Sequence, residues 1–143
     1  MTNFMPNYLK DSDQLRDDLK HTFPTGLQQN ETIFPLDTVG MYPNIDIKDS
    51  INTIKLWLTE ETPSIVKCPT EFLLESLELC MKENLFYFGD LLFRQKDGTA
   101  IGTKCAVVLA NLYAGLLERK HILIKYKPQL RLFKRFIDGI IGV

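Results

Sequence analysis

The chain has 143 residues, 45% of them hydrophobic, and a net charge of −1. That length and apolar content suit one globular domain around one core. No stretch approaches the roughly 20 apolar residues of a membrane span, and the N-terminus lacks the basic-then-apolar order of a signal peptide.

Cys68, Cys80 and Cys105 are odd in number and widely spaced, and His21 and His121 are equally scattered. They form neither a disulfide framework nor a zinc pattern, so a reducing intracellular compartment is expected. The small net charge conceals an asymmetry. Residues 1–93 hold 7 Lys/Arg against 15 Asp/Glu, a balance of −8, whereas residues 94–136 hold 10 Lys/Arg against Asp97 and Glu118, a balance of +8. The basic stretch is compatible with a face that meets phosphates and equally with an ordinary solvated helix face.

Residues 1–30 read as a polar lead-in to which no function is assigned. Within it Asp11 to Lys20 favours a short helix with Asp11 or Ser12 as cap, broken by Pro24 and Gly26. Thr32 to Val39 is a strand candidate, and Pro35 suits it to an edge or a strand start. It delivers Asp37, and five residues later comes Tyr42. A helix from Asp46 to about Thr59 follows, with Ile47, Ile51, Ile54 and Leu58 on one face, ended by Glu60-Glu61-Thr62-Pro63. Thr70 is expected to cap the next helix, with Phe72, Leu73, Ser76, Leu77, Cys80 and Met81 as its buried stripe.

Two aromatic-rich runs flank Gly89-Asp90, which predicts a hairpin. Lys96 to Gly102 is a loop with Gly98 and Gly102, and a long apolar helix is expected over Thr103 to Lys125. Its Ala106, Ala110 and Ala114 let it lie close against a sheet. The last hairpin is expected to turn at Asp138-Gly139. An apolar strand running to Val143 suggests a piece of a longer reading frame.

Asp37 and Asp138 are thus two carboxylates about a hundred residues apart, each at the end of a β element. Alone, Asp37 reads as a turn residue. As a pair they match what a two-metal phosphoryl-transfer site needs, with ions about 3.5–4 Å apart, and hard oxygen donors select Mg²⁺. The spacing leaves open whether the two residues meet.

The residues resemble a family. Asp37-Thr38-Val39-Gly40-Met41-Tyr42-Pro43-Asn44-Ile45 resembles the first catalytic motif of reverse transcriptases of the Penelope-like retroelement group, D-V-x-S-L-Y-T-N-I. That group is related more distantly to telomerase-type reverse transcriptases. Asn84-Leu85-Phe86-Tyr87-Phe88 and the run from Gln95 to Gly102 are similar to the group's N-x-F-x-F and Q-x-x-G-T-A-M-G. Ala110-Asn111-Leu112-Tyr113 and Glu118 continue the match, and Arg135-Phe136-Ile137-Asp138 resembles R-Y-I-D-D. The four motifs stand in order over residues 34–143.

The resemblance implies an α+β fold: part of a polymerase palm over 31–143, with an antiparallel sheet packed on helices. It implies Asp37 and Asp138 as catalytic metal ligands, with the Thr38 carbonyl completing one coordination sphere around Mg²⁺, or Mn²⁺ in its place. Tyr42 would stack under the incoming sugar and favour dNTPs, with Gln95, Gly98 and Gly102 along the nucleotide and template. Lys104, Arg135 and the basic 119–135 segment would contact backbone phosphates. The implied partners are an RNA template, a DNA primer and dNTPs, with no membrane, and the implied location is nuclear. Fingers and thumb would belong to a full-length protein.

Three positions depart from the pattern: Gly139 replaces the second Asp, Val107 a Pro and Gly40 a Ser. The first removes a carboxylate from the metal site. Three readings follow: a polymerase segment weakened by Gly139, a non-catalytic nucleic-acid-binding module of the same fold, and an unrelated α+β domain. The ordered motifs disfavour the third.

Overall fold

The computed structural model describes residues 5–61 and 68–143, in which helices and antiparallel strands fall into two units. One runs from the N-terminus to Val39 and adds Gly115–Val143; the other is Gly40–Ala114.

The first unit opens with α1 (Ser12–Thr22), begun by Asp11, whose carboxylate accepts from the Gln14 amide at 2.8 Å. This satisfies one of the donors that a helix start leaves unpaired. Its sheet has the order β1-β5-β4, with β1 Phe34–Asp37, β4 Phe133–Phe136 and β5 Gly139–Gly142, all antiparallel. Pro35 lies on β1 at the sheet edge, where its missing N–H breaks no ladder. Phe23, Leu132 and Val143 are buried together, with Leu15, Leu19 and Ile141 packed against them.

The lead-in is part of this unit. Asn7 and Leu9 flank Arg135 in a backbone ladder, with Arg135 N–H donating to the Asn7 carbonyl and Leu9 N–H to the Arg135 carbonyl, each at 2.7 Å. Tyr8 forms a parallel bridge to Arg135, so the outer edge of β4 is covered.

In the second unit, α2 (Ile47–Leu56) packs on α3 (Thr70–Lys82). Asp46 caps α2 by accepting from the Asp49 amide at 2.8 Å. The helix continues as a wider π turn over Trp57–Glu61; the expected break at Thr62-Pro63 lies outside the described residues. The residue before α3 is Pro69, which offers no side-chain cap, and Thr70 is already helical, contrary to expectation. The expected stripe on α3 is also only partly inside. Met81 is buried and Leu73, Ser76 and Leu77 half-buried, whereas Phe72 and Cys80 are exposed. Periodicity aligned these side chains along the helix; the neighbour decides how much of the stripe is covered.

β2 (Leu85–Phe88) and β3 (Leu91–Arg94) form the expected hairpin around Gly89-Asp90, and Gly89 takes the positive φ (62°) that such a turn asks of its first central residue. The helix expected over Thr103 to Lys125 starts a little later but runs without a break, changing its winding on the way. α4 spans Ala106–Leu117, a π-helical stretch covers Glu118–Leu123, and α5 (Ile124–Tyr126) leads into a 3₁₀ turn at Lys127–Gln129. Thr103 lies before α4, its carbonyl accepting from the Ala106 amide at 2.9 Å. Ala106 and Ala110 are fully buried, as a helix approached closely by its neighbours requires.

Candidate active site

β1 and β5 pair Asp37 directly opposite Gly139, and one residue further on the Thr38 amide donates to the Asp138 carbonyl at 3.0 Å. The two aspartates, about a hundred residues apart in sequence, therefore stand at the same end of one sheet. Both side chains are exposed.

The turn that carries Asp138 differs from expectation. Phe136 pairs with Gly139, so the two central residues are Ile137 and Asp138, and Gly139 is the first residue of β5. The positive φ of the turn falls on Ile137 (56°) and not on the glycine. A two-residue hairpin needs φ > 0 at its first central position, a conformation costly for a β-branched side chain. Gly139 has an ordinary backbone, and a Cβ built there meets only the Phe136 carbonyl oxygen at 3.7 Å. Nothing about the turn demands glycine at 139.

Arg135, expected to contact phosphates, is instead 1% exposed. Its Nε donates to Oε1 of Glu118, itself 5% exposed, its Nη1 donates to the Ile137 carbonyl at 2.8 Å, and its guanidinium lies 5.8 Å from the Tyr8 ring. Burial raises the pKa of Glu118, and the charge and hydrogen bonds of Arg135 partly offset that rise. Two further cations of the basic segment have internal partners. Arg131 pairs with Glu31, and Lys134 with Asp18 at 2.8 Å. Lys104 is exposed, as a phosphate contact requires.

The remaining expected residues lie in the second unit. Tyr42 is half-buried in a turn whose carbonyl accepts from the Thr99 amide at 2.8 Å. Gly98 (φ 73°) sits so close to Pro43 that a Cβ would come within 2.6 Å of its carbonyl oxygen. Backbone contact thus joins the Tyr42 turn to the loop from Gln95 to Gly102. The Gln95 side chain turns back to donate to the Asp97 carbonyl at 2.9 Å, and its amide donates to the Asn84 carbonyl at 2.9 Å. Gly102 is exposed, and a Cβ there would meet nothing within 4 Å.

Among the described residues, no group of three or more His, Cys, Asp and Glu side chains is arranged to hold a metal ion. The Asp37 and Asp138 carboxylates with the Thr38 carbonyl are nevertheless hard oxygen donors of the kind Mg²⁺ and Mn²⁺ take. Two carboxylates suit one such ion whose other positions go to water and substrate phosphate.

Sequence reasoning used Glu118 only as part of a motif and gave Ile137 no role. The available signal was an acid inside an apolar helical run, with an arginine in a strand 17 residues later, and it does not predict a contact.

The chain is thus a mixed fold of helices and antiparallel strands, a partial domain, with Asp37 and Asp138 at one end of one sheet. The chain matches the structure of apo telomerase from Candida tropicalis, truncated from its C-terminal domain, with a TM-score of 0.76 and 13% identity. The match covers 96% of this chain and 29% of that one, so the chain spans less than a third of its length. No family model matches the sequence, and comparison with curated proteins gives no match. At this identity the likeness is one of fold, and the fold is telomerase-like.

Proposed function

We propose that the chain is the palm segment of an RNA-directed DNA polymerase of the Penelope-like reverse-transcriptase group, with activity weakened or lost in this copy through Gly139. The observation that carries the reading is that Asp37 and Asp138 stand at the same end of one sheet. Asp37, Asp138 and the Thr38 carbonyl would hold Mg²⁺, which when bound supplies charge stabilisation on the transferring phosphate. Tyr42 would lie against the sugar of the incoming dNTP, its turn fixed by the contacts of Gly98 and Thr99. Exposed Gly102 would let backbone approach the nucleotide, and Lys104 would meet template or primer phosphates. The reaction would join a primer 3′-hydroxyl to the α-phosphate of a dNTP on an RNA template. Fingers and thumb would come from a longer protein, at work in the nucleus.

A second reading, a nucleic-acid-binding module without the reaction, is favoured by the two-carboxylate site. Primer extension separates the two. The purified chain should incorporate no dNTP on a primed RNA template, and clear incorporation would refute the claim of lost activity. Gly139→Asp within a full-length protein should restore Mg²⁺-dependent extension, and Asp37→Asn should abolish it again. If Gly139→Asp gains metal binding but no extension, the binding-module reading stands.

A further inference from the structure

The buried Glu118–Arg135 pair is hard to explain as a stabiliser. Taking two charges out of water costs as much as their attraction returns, and an apolar pair of the same volume serves a core at least as well. An apolar pair would lack one thing this pair has: a charged donor aimed at the turn.

We propose that Arg135 is a positioning residue, held by Glu118, that fixes the Ile137 carbonyl and so sets the turn presenting Asp138. Three observations converge on it. The guanidinium is a rigid fork, and here its Nε goes to Glu118 while Nη1 goes to the Ile137 carbonyl at 2.8 Å. Ile137 is the residue in the disfavoured left-handed conformation, so the bond falls where the backbone most needs holding. The Arg135 backbone is itself fixed, its N–H bonded to the Asn7 carbonyl and its carbonyl to the Leu9 amide, while its strand is paired with β5.

Glu118 stands where α4 gives way to the wider π turn, so the brace links the end of that helix to the carboxylate hairpin. Lysine could not replace Arg135, because one ammonium offers no planar fork for two acceptors at fixed angles. The consequence for metal binding rests on the palm reading; the brace itself does not.

Native-state amide exchange on the labelled full chain tests it, because it reads each end of the sheet separately. The Thr38 amide, bonded to the Asp138 carbonyl, reports the carboxylate turn. The Val143 amide, bonded to the Leu132 carbonyl at 3.0 Å, reports the far end of the sheet. In Arg135→Lys, exchange at Thr38 should rise about tenfold or more while Val143 changes less than about twofold. Glu118→Gln, which keeps volume and an acceptor, should show the same pattern more weakly, and serves if Arg135→Lys does not fold.

Equal acceleration at both amides would mean a merely structural pair, and no acceleration at Thr38 would mean the turn holds itself; either overturns the proposal. Mn²⁺ relaxation enhancement, run on the wild type and Asp138→Asn, separates this from the palm reading. Selective loosening at Thr38, with Mn²⁺ binding the same in both proteins, keeps the brace and removes the metal site.

Discussion

The Thr38 amide donates to the Asp138 carbonyl at 3.0 Å, so the end of β1 is bonded directly to the turn between β4 and β5. This bond brings Asp37 and Asp138 to the same end of the sheet, and a side chain at 139 would stand opposite Asp37. The scaffold at 139 has room for a side chain.

Gly139→Asp should fold as the parent does. The backbone at 139 is ordinary and the new Cβ has room, so the expected change in stability is within about 1 kcal/mol by thermal or urea unfolding. Mn²⁺ affinity, read by water-proton relaxation, should rise clearly. A large loss of stability would show that the hairpin register at Phe136 and Gly139 is wrong.

Removing one member of the buried pair should be severe. Glu118→Ala leaves Arg135 charged and buried, which costs about 3–5 kcal/mol in such pairs. The double variant Glu118→Leu with Arg135→Met should recover most of that loss. Urea unfolding of the two variants beside wild type measures the difference, and a double variant no better than the single would mean the pair contributes net stability.

The pH dependence has a defined sign. Burial raises the Glu118 pKa above its ordinary value of 4.5, so in the interval above 4.5 the folded chain binds its proton more tightly than the unfolded chain. Stability contributed by this residue is thus lost as pH rises through that interval. The stability of wild type minus that of Glu118→Gln should fall as unfolding is measured at successive pH values upward from 4.5. Glu31 behaves oppositely. Hydrogen bonds from the Gln28 amide and Arg131 lower its pKa, so its contribution is present above 4.5 and lost as pH falls through the lowered value. The two windows lie on opposite sides of 4.5. A rising difference would show that Arg135 outweighs burial at Glu118.

Gly98 and Gly102 should respond differently to alanine. At Gly98 a Cβ meets the Pro43 backbone at 2.6 Å with φ at 73°, so Gly98→Ala should cost about 1–3 kcal/mol or more and loosen the Tyr42 turn. At Gly102 there is open space, so Gly102→Ala should change stability by about 0.5 kcal/mol or less. If Gly102→Ala also leaves nucleotide binding unchanged, close backbone approach at 102 is not used.

The hairpin at Gly89-Asp90 was legible because a glycine between two β-prone runs marks a positive-φ turn. The last hairpin misled for the same reason. Asp138-Gly139 has the better local chemistry, but the register of β4 with β5 places the turn at Ile137-Asp138 and the strained backbone on an isoleucine. The stripe of α3 failed differently. Periodicity marks a face without stating what covers it.

Residue order alone sufficed for features that need only near neighbours: a cap at Asp11 or Ser12, an edge or starting strand at Pro35, the first hairpin, and four ordered motifs resembling those of reverse transcriptases. Long-range packing was needed to bring Asp37 and Asp138 to the same sheet end, to press Gly98 on Pro43, and to turn Arg135 inward to Glu118 and the Ile137 carbonyl. Local propensity acts over a few bonds. Apart from the Arg135–Ile137 bond, these contacts join residues 17 to about a hundred apart, where pairing register and burial determine which side chains touch.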